Sequence, residues 1–258
     1  MAKKKQRTIV GSPLTPTLLD ELGALRKFPP SSEDFKPEGE WTNMYRIWTC
    51  HGYRERGNQD VGFVRIERDT GRPKKSFTLK VHQQVVETDD MLNIIDAGIK
   101  CLNSELDSPT QWHLMSRIIG PGRKQRPELG TEEKVLINGN VMSVETGGHT
   151  FKRKVSSKLT CDWCLFGAVQ RLKFIKETVL AFDMLEGLSL LKKGQRLSYR
   201  GLSQIKIGDK DIPLHCFVQL GRGILPCEYW LDENHRLLMV TSMNKGYILD
   251  DKAEKAIR

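Results

Sequence analysis

The chain has 258 residues, of which 41 are Lys or Arg and 32 are Asp or Glu, so its formal net charge is +9, and 38% of the residues are hydrophobic. This composition excludes a disordered polymer, a collagen-like repeat and a disulfide-dense miniprotein. A chain of this length buries a full core without a metal or a disulfide, so stability alone does not imply a cofactor.

The N-terminal segment, residues 1–40, is rich in proline and polar residues around one short apolar stretch at 18–25. We interpret it as an extended, proline-rich lead-in with one helix. Its first residues carry the cations of an export signal, but residues 8–11 are not the apolar region that follows such cations. No stretch reaches the roughly 18 to 20 uninterrupted apolar residues of a membrane-spanning helix, so we expect no transmembrane segment.

From Met44 onward, apolar residues alternate with polar ones more often than they recur at the helical period, which is typical of half-buried strands. Asn138-Gly139, between two such segments, is the strongest hairpin signal in the chain. Trp48 and Trp230 are out of phase with the apolar positions of their strands, which places them on the opposite side of the sheet. The predicted strands are 45–50, 61–67, 77–85, 95–101, 112–118, 134–137, 141–144, 197–207, 212–220, 224–231, 236–242 and 247–249.

Residues 160–191 interrupt this alternation. Thr160 can cap a helix that carries Trp163 and Phe166, and the apolar cluster at 182–191 also lacks a strand period, so we predict one or two helices here. The strands follow one another without βαβ alternation. The predicted fold class is therefore mainly β (α+β), with residues 41–258 forming a single large curved antiparallel sheet, or half-barrel, with a helical insertion around 160–191.

Two parts of the sequence carry a family resemblance. Residues 225–232 read Leu-Pro-Cys-Glu-Tyr-Trp-Leu-Asp and continue, after a turn, as Arg-Leu-Leu-Met-Val at 236–240; residues 99–103 and 108–114 contribute a second pattern. These segments resemble the LolA/LolB-like bacterial lipoprotein-carrier superfamily and its uncharacterised half-barrel relatives. The likeness is one of fold and includes no catalytic motif.

The resemblance implies an envelope protein whose half-barrel encloses an apolar cavity for a lipid or acyl chain, capped by helices. A long sheet twists and coils, so its concave face has to be filled by side chains, by a helix or by a ligand. If the helices at 160–191 fill that face, no ligand cavity is left. With an export signal outside the printed sequence, the resemblance implies the bacterial periplasm or cell envelope; without one, we expect the cytoplasm.

The motif Cys161-Asp162-Trp163-Cys164 has the spacing of a redox dithiol or of half a zinc site. A structural zinc site needs four ligands, and neither a second C-x-x-C nor a paired histidine motif is present. A thioredoxin-like site requires a βαβ unit, which the strand pattern lacks. We predict no metal and no cofactor, with Cys161 and Cys164 as weak metal candidates, ranked below inert thiols and a local disulfide.

Cys216 and Cys227 flank a glycine-containing turn. If Gly221-Arg222 forms a two-residue type II′ loop, counting back from the turn places Cys216 opposite Cys227. We therefore predict two neighbouring buried thiols. This prediction depends on the turn type, because a three-residue loop would shift the register.

Basic clusters occur at 117–126, 152–158 and 192–200, as they do in nucleic-acid-binding proteins. Aromatic residues make up only 7% of the chain, however, and recognition-helix and stacking-platform motifs are absent. We interpret the clusters as solvated surface, which makes nucleic acid the least favoured partner.

No enzyme motif is recognisable, because the G-x-S-x-G, Walker A, H-E-x-x-H and G-x-G-x-x-G patterns are all absent. The first hypothesis is therefore non-enzymatic binding of an apolar ligand, a lipid or acyl chain, in the concave face of the half-barrel. The alternatives are a structural or protein-interaction module with a closed core and, after it, a basic nucleic-acid-binding protein. The residues predicted to line the cavity are Phe77, Leu79, Val81, Ile99, Leu114, Phe166, Leu214 and Tyr229.

Overall fold

The computed structural model describes residues 14–25, 28, 35–49, 59–71, 75–87 and 91–256. Two short α-helices occur in them, α1 (Pro16–Glu21) and α2 (Asp162–Ala168). The strands are β1 (Trp41–Thr49), β2 (Gln59–Asp69), β3 (Ser76–Val86), β4 (Leu92–Leu102), β5 (Pro109–Gly120), β6 (Lys124–Gln125), β7 (Thr131–Asn138), β8 (Val141–Thr146), β9 (His149–Lys154), β10 (Leu159–Cys161), β11 (Val179–Glu186), β12 (Leu190–Ile207), β13 (Lys210–Leu220), β14 (Cys227–Leu231), β15 (Leu237–Thr241) and β16 (Lys245–Leu249).

All of these strands belong to one sheet, in the order β10-β11-β12-β13-β14-β15-β16-β1-β2-β3-β4-β5-β7-β8-β9, with β6 attached to β5. Neighbours are antiparallel except for β10 and β11, which are parallel. The first and last strands in the chain, β1 and β16, pair with each other in the middle of the order. The predicted fold class, one large antiparallel sheet with a helical insertion, is confirmed.

Side chains on both edge strands reach other parts of the chain, β10 reaching the β4–β5 loop and β9 the turn between β11 and β12. Thr160 on β10 donates from its hydroxyl to the carbonyl oxygen of Leu106, at 2.6 Å. Arg153 on β9 donates to the carbonyl oxygen of Ser189, at 3.1 Å. The sheet is barrel-like, with a concave inner face and a convex outer face.

The helical insertion is smaller than predicted. α2 and the 3₁₀ turn Val169–Arg171 are helical, but residues 179–186 form β11 in place of a second helix. The register of β11 against β12 shifts between Phe182 and Met184, and this bulge breaks the period-two pattern that marks a strand. The N-cap of α2 is Cys161 and not Thr160.

The Asn138-Gly139 hairpin is confirmed, but its loop lies one residue later than predicted. Asn138 pairs with Val141, so the two loop residues are Gly139 and Asn140. Gly139 takes a φ of 59°, a value that glycine adopts without a steric cost.

The predicted pairing of Cys216 with Cys227 is wrong. Cys216 lies opposite Trp230, and Cys227 lies opposite Gln219. The connection spans residues 221–226 instead of two residues, so the register moves by an odd number of positions (230 − 227 = 3). An odd shift in register sends side chains to opposite faces, and the two thiols are therefore separated by the sheet.

Helix α1, in the N-terminal segment, packs on the convex face. A Cβ atom added to Gly246 would lie 3.4 Å from a methyl carbon of Leu19, which follows the first turn of α1. Trp48 is the cross-strand neighbour of Gly246 and so shares that face, as its phase predicted. Trp230 lies next to Tyr229, whose ring faces α2, so alternation places Trp230 on the convex side as well.

Some of the predicted features lie outside the described residues. These are residues 1–13, 26–27 and 29–34 of the predicted lead-in and Cys50, the last residue of the first predicted strand. No helix in the described part of the chain is long and apolar enough to cross a lipid bilayer.

Candidate functional site

α2 occupies the concave face of the sheet. The ring of Phe166 meets those of Tyr45 and Tyr247 edge-on, with centroids 5.2 and 5.3 Å away, and approaches Tyr229 at 6.4 Å. Every residue of α2 after its first is buried. The helix thus fills the space that an apolar ligand would take in an open half-barrel.

Seven of the eight residues predicted to line a cavity are brought together on the concave side, but as packed core. The prediction is wrong for Leu214, which shares the face of Cys216, the cross-strand neighbour of Trp230, and so lies on the convex side. All eight residues are buried and belong to a single hydrophobic cluster, and α2 supplies one of them. None of them lines the cleft described next. Their exposed fractions are 4% for Phe77, 0% for Leu79, 3% for Val81, 0% for Ile99, 5% for Leu114, 4% for Phe166, 0% for Leu214 and 2% for Tyr229.

A cleft of about 320 Å³ lies beside the segment 171–178, which follows α2 in the chain. One wall is the inner face of β11, β12 and β13, and the other is the segment 171–178 with the loop between β4 and β5. This volume is at the lower end of the range typical of small-molecule sites. Its apolar lining consists of Leu172, Ile175, Leu180, Leu197 and Phe217, and its polar lining of Glu105, Arg171, Lys173 and Thr178.

A buried charge cluster lies behind this cleft. The guanidinium of Arg171, whose side chain is 9% exposed, pairs with the carboxylate of Asp107, which is completely buried. Arg68, 3% exposed, is a second buried cation close enough to interact electrostatically with Asp107. Burial raises the pKa of Asp107 to about 7, and the two arginines oppose that rise. Glu38 lies 3.9 Å from the guanidinium of Arg171, so two carboxyl groups accompany the two guanidinium groups of the cluster.

The Arg171 side chain is held in place by the β4–β5 loop. It donates to the carbonyl oxygen of Ser104 at 2.8 Å and to the side-chain oxygen of Asn103 at 3.2 Å. Asp107 adopts a φ of 51° in this loop, which asparagine and aspartate tolerate better than most residues do. The cation at the cleft is therefore fixed before any ligand arrives.

An aromatic stack anchors the segment 171–178. The Phe174 ring lies parallel between the rings of His215 and His235, with centroids 3.7 and 4.0 Å away. The hydroxyl of Tyr199 lies 2.6 Å from Nδ1 of His215. Burial lowers the pKa of both histidines, so the stack is uncharged near neutral pH.

The C-x-x-C cysteines lie deep in the core. The Sγ atoms of Cys161 and Cys164 are 2.8 Å apart, and Cys101 on β4 brings a third Sγ to 3.7 Å from that of Cys164. Burial raises the pKa of all three thiols. Among the described residues no group of three or more His, Cys, Asp or Glu side chains is arranged to hold a metal ion.

The basic clusters at 117–126 and 192–200 carry acidic neighbours. Arg117 pairs with Asp96 at 2.6 Å, and Arg126 pairs with Glu128. Lys192 pairs with Glu186 at 3.3 Å. This arrangement agrees with the interpretation of these clusters as solvated surface.

Sequence reasoning missed the cleft. Leu172 and Ile175 lie in the region 160–191 that was predicted to be helical, with Leu172 on the first helix, and Leu180 lies in β11, which the sequence pattern did not indicate. The apolar character of Phe174 and Ile175 next to Lys173 and Lys176 was the one local signal of a partly covered segment.

No protein-family model matches the sequence, and no curated protein matches it significantly. The structure is similar to the crystal structure of a β-barrel-like protein of the domain of unknown function DUF1849 from Brucella abortus, with 8% identity and a TM-score of 0.50 over 82% of this chain and 95% of that chain. It is also similar to a DUF1089 family protein from Pseudomonas aeruginosa, with 10% identity and a TM-score of 0.41 over 75% and 95% of the two chains. The first of these likenesses shows the fold alone. The chain has a β-barrel-like fold.

Proposed function

We propose that this protein binds an apolar ligand, a lipid or acyl chain, without catalysing a reaction on it. The observation that carries the proposal is the cleft between the segment 171–178 and the inner face of β11–β13, with its apolar walls and its preformed cation. Small-molecule sites in barrel-like folds commonly lie at the mouth of the barrel and combine an apolar lining with a few fixed polar groups. The LolA/LolB-like pattern at 225–240 supports the same ligand class and a bacterial envelope location.

The cleft is better suited to the end of one acyl chain than to a whole lipid molecule. The concave face behind it is filled by α2, so a ligand reaches the side chains of Leu180, Leu197 and Phe217 but not the centre of the core. Arg171 and Lys173 at the polar side favour a ligand whose apolar chain ends in an acidic group, although Glu105 also faces the cleft.

The test is ligand binding to the full chain and to a variant with a blocked cleft. The fluorescent probe is 1-anilinonaphthalene-8-sulfonate, displaced in turn by dodecanoic acid and by dodecanol. Ile175→Trp adds bulk at a side chain that is 45% exposed inside the cleft, so it should fold normally. Leu190→Trp is the matched control, because Leu190 is 55% exposed and lies outside the cleft.

We expect dodecanoic acid to displace the probe from the wild-type protein and from Leu190→Trp, and to bind Ile175→Trp at least about tenfold more weakly, a difference of about 1.4 kcal/mol. Equal binding by the two variants, or no probe bound to the wild-type protein, would contradict the proposal. Native mass spectrometry of protein purified without detergent adds a second readout, a co-purifying lipid that is lost in Ile175→Trp.

A second candidate function, a structural or protein-interaction module, is favoured by the closed core. Phe166 and its aromatic neighbours fill the centre of the described part of the sheet with packed side chains. Wild-type protein that repeatedly purifies empty and ignores the probe would favour this alternative.

A further inference from the structure

Three cysteines from two distant parts of the chain meet in the core. Cys164 is the central one, with its Sγ 2.8 Å from that of Cys161 and 3.7 Å from that of Cys101. All three residues are 0% exposed. Cys216 and Cys227, by contrast, lie on opposite faces of the sheet, away from one another.

The geometry of Cys161 and Cys164 suits a covalent bond. Cys161 is the N-cap of α2, with an extended backbone, and its Sγ accepts a hydrogen bond from the backbone N–H of Cys164 at 3.1 Å. A disulfide has an S–S distance of about 2.05 Å, so the two sulfur atoms have to approach by only about 0.8 Å. The extended backbone at the N-cap therefore already points the Sγ of Cys161 toward the Sγ of Cys164.

The surroundings keep the resting cysteines as thiols. Burial raises the pKa of each, and the thiolate is the form that reacts. Reaction therefore requires a local opening. The cysteine-bearing strand β10 (Leu159–Cys161) is a three-residue edge strand, which among the described residues pairs with β11 alone, in parallel. Local openings cost less free energy than global unfolding, and an opening at this edge would expose Cys161, the last residue of β10.

We propose that Cys101, Cys161 and Cys164 form a disulfide-exchange centre, in which Cys161 and Cys164 are oxidised by a small-molecule disulfide and Cys101 is the alternative partner of Cys164. The thiolate of Cys161 attacks the small disulfide, forms a mixed disulfide and releases one thiol. The thiolate of Cys164 then attacks the Sγ of Cys161 and releases the second. Overall, two cysteine thiols and one small disulfide give one protein disulfide and two small thiols, so electrons and protons balance.

The two disulfides would differ in what they join. A bond between Cys161 and Cys164 closes the first turn of α2 onto β10. A bond between Cys101 and Cys164 ties α2 to β4 across the core, between residues that are 63 positions apart. Exchange at Cys164 would thus change how firmly the helix is held in the concave face, whether or not the cleft binds a ligand.

The experiment uses the full chain, reduced and freed of reductant, then incubated with oxidised glutathione at pH 8 without denaturant. Peptide mapping by mass spectrometry identifies the bonded pair. We expect a loss of two hydrogens and a Cys161–Cys164 disulfide in the wild-type protein, in Cys101→Ala and in the control Cys216→Ala. In Cys161→Ala we expect Cys101–Cys164, and in Cys164→Ala no intramolecular disulfide.

A native wild-type protein that stays fully reduced would overturn the proposal. So would a disulfide that involves Cys50, Cys216 or Cys227, or a Cys164→Ala variant that forms a disulfide in the same yield. If an alanine variant fails to fold, as circular dichroism would show, the map of the wild-type protein decides the matter alone.

Discussion

The guanidinium of Arg171 and the completely buried carboxylate of Asp107 form an ion pair that joins the segment after α2 to the loop between β4 and β5. Replacing Arg171 with methionine would leave a buried carboxylate facing only Arg68. We expect Arg171→Met to lower the free energy of unfolding by about 3 to 5 kcal/mol in urea titrations. Adding Asp107→Asn should restore part of that loss, since the orphaned charge is then removed.

The matched control for this pair is Arg200→Met. Arg200 pairs with Glu228 at 2.8 Å, but its side chain is 65% exposed. Exposed ion pairs contribute about 0 to 1 kcal/mol. Equal losses in Arg171→Met and Arg200→Met would show that the buried pair has no special role.

Two strand glycines should respond differently to alanine. A Cβ atom at Gly62 on β2 would lie 1.9 Å from the carbonyl oxygen of Gln84, whereas a Cβ atom at Gly98 on β4 would meet nothing within 4 Å. We expect Gly62→Ala to destabilise the protein by about 1 to 3 kcal/mol, as overpacking does. Gly98→Ala should be neutral or stabilising by up to about 1 kcal/mol, because alanine restricts the unfolded chain. Thermal unfolding of both variants tests this prediction, and similar melting temperatures for the two would contradict it.

The stack around Phe174 should make stability depend on pH. Burial lowers the pKa of His215 and of His235, and each histidine further has Asp232 nearby, which opposes the shift. Below the ordinary histidine pKa of about 6.5 the unfolded chain binds more protons than the folded one, so the free energy of unfolding falls as pH falls. We expect the double variant His215→Gln, His235→Asn to lose less stability than the wild-type protein between pH 7.5 and 5.0.

Asparagine is the replacement at residue 235 because His235 has a φ of 64°, which asparagine tolerates. The control is His113→Gln, a variant of an exposed histidine on the convex face. An unchanged pH profile in the double variant would refute the role assigned to the stack.

Asp162 should act in the opposite direction. Burial raises the pKa of Asp162 to about 6. The backbone N–H groups of Gly187 and Trp163 donate to its carboxylate at 3.0 and 2.9 Å, and these hydrogen bonds partly oppose the rise. Between the ordinary value of about 3.9 and about 6, the folded chain binds more protons, so this group adds stability as pH falls. Relative to Asp162→Asn, the wild-type protein should therefore gain stability from pH 7 to pH 5 in urea titrations. A constant difference between the two proteins would argue against a raised pKa.

Phe166 is the side chain whose removal should open the core. Truncation to alanine is expected to cost about 3 to 5 kcal/mol and to leave an apolar cavity among Tyr45, Tyr229 and Tyr247. Benzene fits such cavities, so it should raise the melting temperature of Phe166→Ala but not that of the wild-type protein. Leu190→Ala, at a 55% exposed position, is the control and should change little. The absence of any benzene effect would show that the site collapses.

The strands were largely predictable, because the alternation of side chains is a local property of each segment. The buried residues Phe77, Leu79 and Val81 on β3 lie at every second position, as the sequence indicated. β11 was missed because its bulge at 182–184 interrupts the alternation. The pairing of Cys216 was missed because register depends on loop length, and the sequence does not state how many residues between β13 and β14 belong to the turn.

The sequence by itself determined a single curved antiparallel sheet with a helical segment near residue 163, because local periods and turn residues carry that information. Only the tertiary structure decided that α2 fills the concave face, that a cleft remains beside residues 171–178, and that Cys101 meets Cys164. These features join residues far apart in the chain, and the curl of the sheet, which sums small twists over many strands, determines which of them come into contact.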